Sequence, residues 1–133
     1  MSDELVMVLR LLLAVALGTI IGLQRQHAHK PAGLRTHLLV CIGAALFTIA
    51  SIYGFGENAD PARVAAGIVA GIGFLGAGTI IRSAEGTLVG LTTASSIWAM
   101  AAIGMVAGAG LYYLAAIATA VVFVALSVFK RFE

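Results

Sequence analysis

Charge is what this chain has least of. Only 11% of its 133 residues are Asp, Glu, Lys or Arg, while 61% are hydrophobic, and mean hydropathy is +1.05. A soluble domain averages roughly 45–50% apolar and about 25% charged. A water-facing surface cannot be assembled from this composition, so an integral membrane protein is expected. The net charge of +2 is too small to argue for nucleic acid. The one cysteine, Cys41, excludes an internal disulfide; it lies in an apolar run and reads as a small buried hydrophobe. Carboxylates are scarce too, six in all, none of them well inside an apolar segment. No His/Cys cluster has zinc spacing, and no nucleophile sits with a base. Neither an enzyme nor a bound cofactor is expected, and Asp60, beside Glu57, is the best candidate to meet a hard cation such as Mg²⁺.

What fills the chain instead is apolar sequence rich in glycine. Residues 67–82 read GIVAGIGFLGAGTIIR. In water this would make a poor helix, since an interior glycine costs ~1 kcal/mol relative to alanine. In a bilayer the backbone must bond to itself, and small residues let helices approach closely. Five apolar segments follow, at residues 5–23, 38–55, 64–81, 88–107 and 111–129, each near the ~20 residues a span needs. The expectation is an all-α, polytopic membrane bundle of five transmembrane helices forming one domain over residues 1–133, with no soluble C-terminal domain. Arg25, Lys30, Arg35, Arg82, Lys130 and Arg131 then fall on one side, and Asp3, Glu4, Glu57, Asp60 and Arg63 on the other. By the positive-inside rule the N-terminus lies out and the C-terminus in.

Several motifs carry more than one reading. Gly71-Ile72-Gly73-Phe74-Leu75-Gly76 spells the dinucleotide fingerprint, but no βαβ unit surrounds it; Gly67, Gly71, Gly73, Gly76 and Gly78 read as a helix-packing face. GxxxG pairs recur at Gly18/Gly22, Gly67/Gly71, Gly86/Gly90 and Gly104/Gly108, and serve either the chain's own bundle or a homodimer seam. Thr92, Ser95, Ser96 and Ala99 fall at i, i+3, i+4 and i+7, a small hydroxyl-bearing stripe that either lines a polar path or glues helices together. Trp98 lies to its side. Arg25, Arg35, His37 and Arg82 gather at the inner helix ends, where they orient the protein or form a basic mouth for an anion or lipid phosphate. Arg10, alone well inside a segment, would cost roughly 2.5–3.5 kcal/mol at a bilayer centre. It is expected to snorkel outward or to form an outer ion pair with Asp60 or Glu57, with Arg63 nearby.

Together Gly22-Leu23-Gln24-Arg25-Gln26, Pro31-Ala32-Gly33-Leu34-Arg35-Thr36-His37, Asp60-Pro61-Ala62-Arg63, the Gly71–Gly78 run, and Val89–Thr93 with Trp98 resemble, in order, the MgtC/SapB family. The resemblance implies a bacterial inner-membrane protein of magnesium limitation and ion homeostasis. Two activities follow from it. One is transport of Mg²⁺ as substrate, with Asp60 recruiting the ion and Thr92, Ser95 and Ser96 lining its path. The other is regulation, by docking on another membrane complex such as the ATP synthase. Gln24 and Gln26 stand where the family usually has Glu, which removes charge while keeping shape. Larger members add a soluble domain after the membrane part.

Overall fold

The computed structural model describes residues 1–129 and consists of five α-helices with one small hairpin. Lys130 and Arg131, which entered the charge count for orientation, lie outside the described residues. Helix α1 (Asp3–His27) opens on Ser2, whose hydroxyl accepts from the Leu5 amide at 3.3 Å. Asp3 and Glu4 sit in its first turn and Arg25 and His27 in its last, each matching the helix dipole. Helix α2 (Leu34–Tyr53) follows a loop through Pro31 and Gly33. Helix α3 (Pro61–Ala77) has proline at its first position and is capped by the Asp60 carboxylate, which accepts from the Ala62 amide at 3.0 Å.

The boundaries around α3 and α4 differ from the sequence expectation. The third segment stops being helical at Ala77, and an antiparallel hairpin follows. Its strands, β1 (Ile81–Arg82) and β2 (Leu88–Val89), pair Ile81 with Val89 and Arg82 with Leu88. Helix α4 (Leu91–Gly108) therefore begins later than residue 88, and α5 (Tyr112–Val128) follows after a short turn. The Gly86/Gly90 pair belongs to no helix face. Both glycines take positive φ, +86° and +96°, in the hairpin turn and at the start of α4, a backbone region that glycine enters without steric cost. Helices α1, α2 and α4 are long and apolar enough to cross a membrane; α3 and α5, with 17 residues each, are shorter apolar helices.

Helix α2 is the hub. It packs on α1 and on α4, and α3 and α5 flank this trio. Two glycine seams explain the closeness. On α1, a Cβ placed on Gly18 would lie 3.0 Å from the Cys41 Cβ, and one on Gly22 would lie 3.0 Å from the Leu34 Cα. On α4, a Cβ on Gly104 would collide with the Cys41 carbonyl, and one on Gly108 would come within 2.7 Å of the Ala45 carbonyl. Cys41 is met from both sides and is completely buried.

The glycines of α3 behave otherwise. A Cβ on Gly67, Gly71 or Gly73 would meet nothing within 4 Å; Gly76 alone faces a neighbouring helix, 3.4 Å from the Ala94 carbonyl, and Gly78 faces its own last turn. The expected packing through Gly67, Gly71 and Gly73 is thus not made inside this chain. Gly67 and Gly71 instead line an apolar groove of about 560 Å³ between α2 and α3.

The two kinds of glycine should separate in a stability assay. Gly104→Ala is expected to cost about 1–3 kcal/mol through overpacking against backbone, whereas Gly67→Ala, with open space for its Cβ and a better helix former in place, leaves the thermal midpoint in detergent unchanged or raises it. Equal tolerance of both substitutions would contradict the seam.

Candidate functional site

Four of the seven buried polar side chains among the described residues converge where α1 ends and α2 and α4 begin. Arg25 is 2% exposed, His37 0%, Thr93 4% and Ser96 2%. The Arg25 Nη2 donates to the Thr93 Oγ1 at 3.2 Å, which ties α1 to α4. The His37 Nε2 lies 2.8 Å from the Ser96 Oγ, which ties α2 to α4. The His37 Nδ1 lies 2.9 Å from the Gly33 carbonyl; since a carbonyl only accepts, Nδ1 carries the hydrogen. Ser96 also lies within 2.8 Å of the Thr93 carbonyl, one turn back.

Around this cluster the two glutamines hold the chain in place. The Gln26 Oε1 accepts from the Leu34 amide at 3.0 Å and so stands in for a cap on α2, whose Gly33 offers no side chain. A Cβ on Gly33 would run into that same oxygen, so a larger residue there would push the Gln26 side chain off its bond to Leu34. The Gln24 Nε2 donates to the Ser127 Oγ at 3.2 Å, joining α1 to α5. A glutamate would keep the acceptor at position 26, while at position 24 it would have to accept from Ser127 instead.

The structure sorts the residues singled out from sequence. Arg25 and His37 are brought together; Arg35 and Arg82 are exposed, the latter on the hairpin, so the four do not form one basic mouth. The hydroxyl stripe divides. Ser96 enters the buried cluster, Ser95 is exposed and bonds back to the Leu91 carbonyl at 2.8 Å, and Thr92 is half-buried. Thr93, absent from the stripe as drawn, is the residue that receives Arg25. Four hydroxyls within five positions cover too much of a helix for spacing alone to choose the inward pair. Trp98 is 55% exposed and sits beside Ser95 over a shallow cleft between α3 and α4.

The outer ion pair is corrected. Arg10 does not reach Asp60. Its Nε donates to the Tyr112 Oη and its Nη1 to the Gly108 carbonyl, both at 3.2 Å, and its guanidinium lies 5.4 Å from the Tyr53 ring centre. A cation over the last carbonyls of α4 is favoured by the helix dipole, and stacking on an aromatic face adds to it. Asp60 is exposed and engaged as the α3 cap, and Arg63 is exposed in the turn that follows. Among the described residues no three His, Cys, Asp or Glu side chains come together to hold a metal ion.

A helical membrane protein whose core is closed by an arginine–hydroxyl–histidine cluster is the class these observations define. The chain belongs to the MgtC family, whose profile matches residues 11–133. It is similar to the "Putative magnesium transporter YhiD" of Escherichia coli (strain K12), 46% identical over 93% of this chain and 60% of the relative. It is also similar to Protein SrpB of Synechococcus elongatus, 43% identical over 99% of this chain and 79% of the relative. Protein MgtC of Brucella abortus (strain 2308) is 52% identical over 80% of this chain and 44% of the relative. The chain thus spans about three-fifths of the length of the first of these and under half of the last. No solved structure matches it.

Removing the acceptor of a buried, charged donor is costly. Thr93→Val is expected to destabilise the fold by about 1.5–3 kcal/mol, while Arg82→Ala on the exposed hairpin leaves the denaturant midpoint where it was. Unfolding followed by circular dichroism in detergent checks the contrast.

Proposed function

We propose that this protein serves magnesium homeostasis in a bacterial inner membrane. It crosses the membrane five times, N-terminus out and C-terminus in, and acts as a regulatory helical unit on another membrane complex. Membership of the MgtC family and the name of the YhiD relative support the magnesium assignment. The uneven distribution of Lys and Arg supports the orientation. The observation that carries the regulatory reading is the buried cluster itself. Arg25, Thr93, His37 and Ser96 spend their polar atoms fastening α1, α2 and α4 to one another. Ser95 and Thr48 bond back to carbonyls of their own helices. Polar groups used this way stiffen a bundle. The apolar groove between α2 and α3, open at Gly67 and Gly71, suits a helix laid alongside.

The second reading is transport of Mg²⁺, favoured by the name of the YhiD relative. In that reading the exposed Asp60 gathers the ion, and Thr92, Ser95 and Ser96 line its path, with a homodimer supplying the remaining wall.

Purified protein in liposomes loaded with a magnesium indicator separates the two. The regulatory reading expects no flux above empty vesicles, together with recovery of a second membrane complex on gentle extraction from native membranes. Divalent flux that disappears in Asp60→Asn would sink it in favour of transport.

A further inference from the structure

Helix α4 turns one narrow stripe outward. Its four exposed residues, Leu91, Ser95, Trp98 and Ala102, fall at i, i+4, i+7 and i+11, which is one face of a helix. Helix α3 beside it repeats the interval, with Ala66, Ala70, Gly73 and Ala77 all exposed. Gly76 draws the two helices together, since a Cβ there would lie 3.4 Å from the Ala94 carbonyl. The stripes share a shallow cleft, lined by Gly73 and Ala77 on one side and Ser95 and Trp98 on the other. The α3 stripe is small throughout, while the α4 stripe carries an indole that is 55% exposed.

Trp98 is poorly suited to face lipid. It stands seven residues beyond Leu91, the first of α4, about 10 Å along the helix. That is short of either interface, where an indole N–H finds water or headgroups. Its N–H donates to none of the described residues, and an unbonded donor in hydrocarbon is costly. Gly73, which shares the cleft with it, has nothing within 4 Å of where a Cβ would stand. A bulky donor and an empty recess thus occupy one depth on one face.

We propose that the α3–α4 face is where a second copy of this chain docks, with Trp98 of each copy seated on Gly73 of the other. A two-fold axis along the membrane normal brings equal depths together. An interface of that kind needs knob and recess at one level of the same surface. Two further pairs meet the same condition. The Ser95 hydroxyl hydrogen is spent on the Leu91 carbonyl at 2.8 Å, which leaves the oxygen able to accept. It lies one turn from Trp98, within reach of an indole N–H from the second copy. At the start of α3, Arg63 is exposed near the exposed Glu57 and Asp60, and neither Arg63 nor Glu57 is in an ion pair among the described residues. Across the axis these unlike charges face one another; in water they fix register more than strength. A different protein would have to supply all three matches independently, whereas a second copy supplies them by symmetry. This face is separate from the groove between α2 and α3, so dimerisation and docking on another complex can each fail without the other.

The test uses the purified full chain in liposomes, with donor and acceptor fluorophores on the N-termini of separate populations. Energy transfer is followed as the protein is diluted in lipid. The wild type is expected to associate. Gly73→Leu fills the recess and is expected to weaken association on the order of tenfold or more. Gly43→Leu fills open space in the α2–α3 groove instead and is expected to associate as the wild type does. A wild type that stays monomeric at every dilution overturns the proposal. So does unchanged association in Gly73→Leu, or equal loss in both variants. If Gly73→Leu does not fold, oxidative cross-linking in native membranes replaces it. One copy carries Ala70→Cys and a differently tagged copy carries Ala102→Cys, so that a disulfide between the two tags forms only between chains. A link at this pair, and none when Gly43→Cys replaces Ala70→Cys, supports the interface. No link, or equal linking through Gly43→Cys, overturns it.

Discussion

The architecture depends on how closely two helices approach α2. Gly18 and Gly22 bring α1 against Leu34, Leu38 and Cys41, while Gly104 and Gly108 bring α4 against Cys41, Ala44 and Ala45. Both seams are one-turn repeats; the α4 seam ends on backbone and small side chains, while the α1 seam also meets the Leu34 and Leu38 side chains. In lipid, where apolar surface gains nothing by leaving its surroundings, such contact between backbones is a main source of helix association. The spacing it sets also determines how far the polar side chains at the end of the trio must reach. Arg25 and His37 find Thr93 and Ser96 at hydrogen-bonding distance because α1 and α2 have already been drawn onto α4.

That dependence explains why a charged residue is tolerated in the interior. Arginine is planar, with donors in fixed directions, and suits a site whose acceptors are fixed as well. The Thr93 hydroxyl that accepts from Arg25, and the Gly33 carbonyl and Ser96 hydroxyl that meet His37, are all placed by helix starts, and the Gln26 side chain completes the first turn of α2. The family's opening signature therefore acts as one structural unit: residues 24–26 close α1, residue 33 turns the chain, and residue 37 enters α4's surface.

Much of this was legible in the sequence. The apolar segments mark the helices to within a few residues, and Pro61 after Asp60 marks a helix start with its cap. Gly18/Gly22 and Gly104/Gly108 were visible as close-packing pairs. The identical spacing of Gly67/Gly71 gave no hint that its face would be left open, because a repeat identifies a smooth surface and says nothing of what lies on it. The hairpin at residues 81–89 was hidden by hydrophobicity: Ile80, Ile81, Leu88 and Val89 look like helix to any window of apolar count. Spacing cannot choose Thr93 over Thr92, since rotation of a helix by one residue, about 100°, changes which hydroxyls face inward, and the partner Arg25 settles it.

Arg10 illustrates a matter of timing as much as of energy. The groups that hold it, Gly108 and Tyr112, lie 98 and 102 positions further along the chain. A ribosome delivers this arginine to the membrane well before either partner has been made. The first helix must therefore be housed for a time with its guanidinium attended by water or lipid headgroups, and its final seat exists only once the turn between the last two helices has formed. The finished bundle is thus fastened, at one of its charged points, by residues 108–112 closing on the first helix.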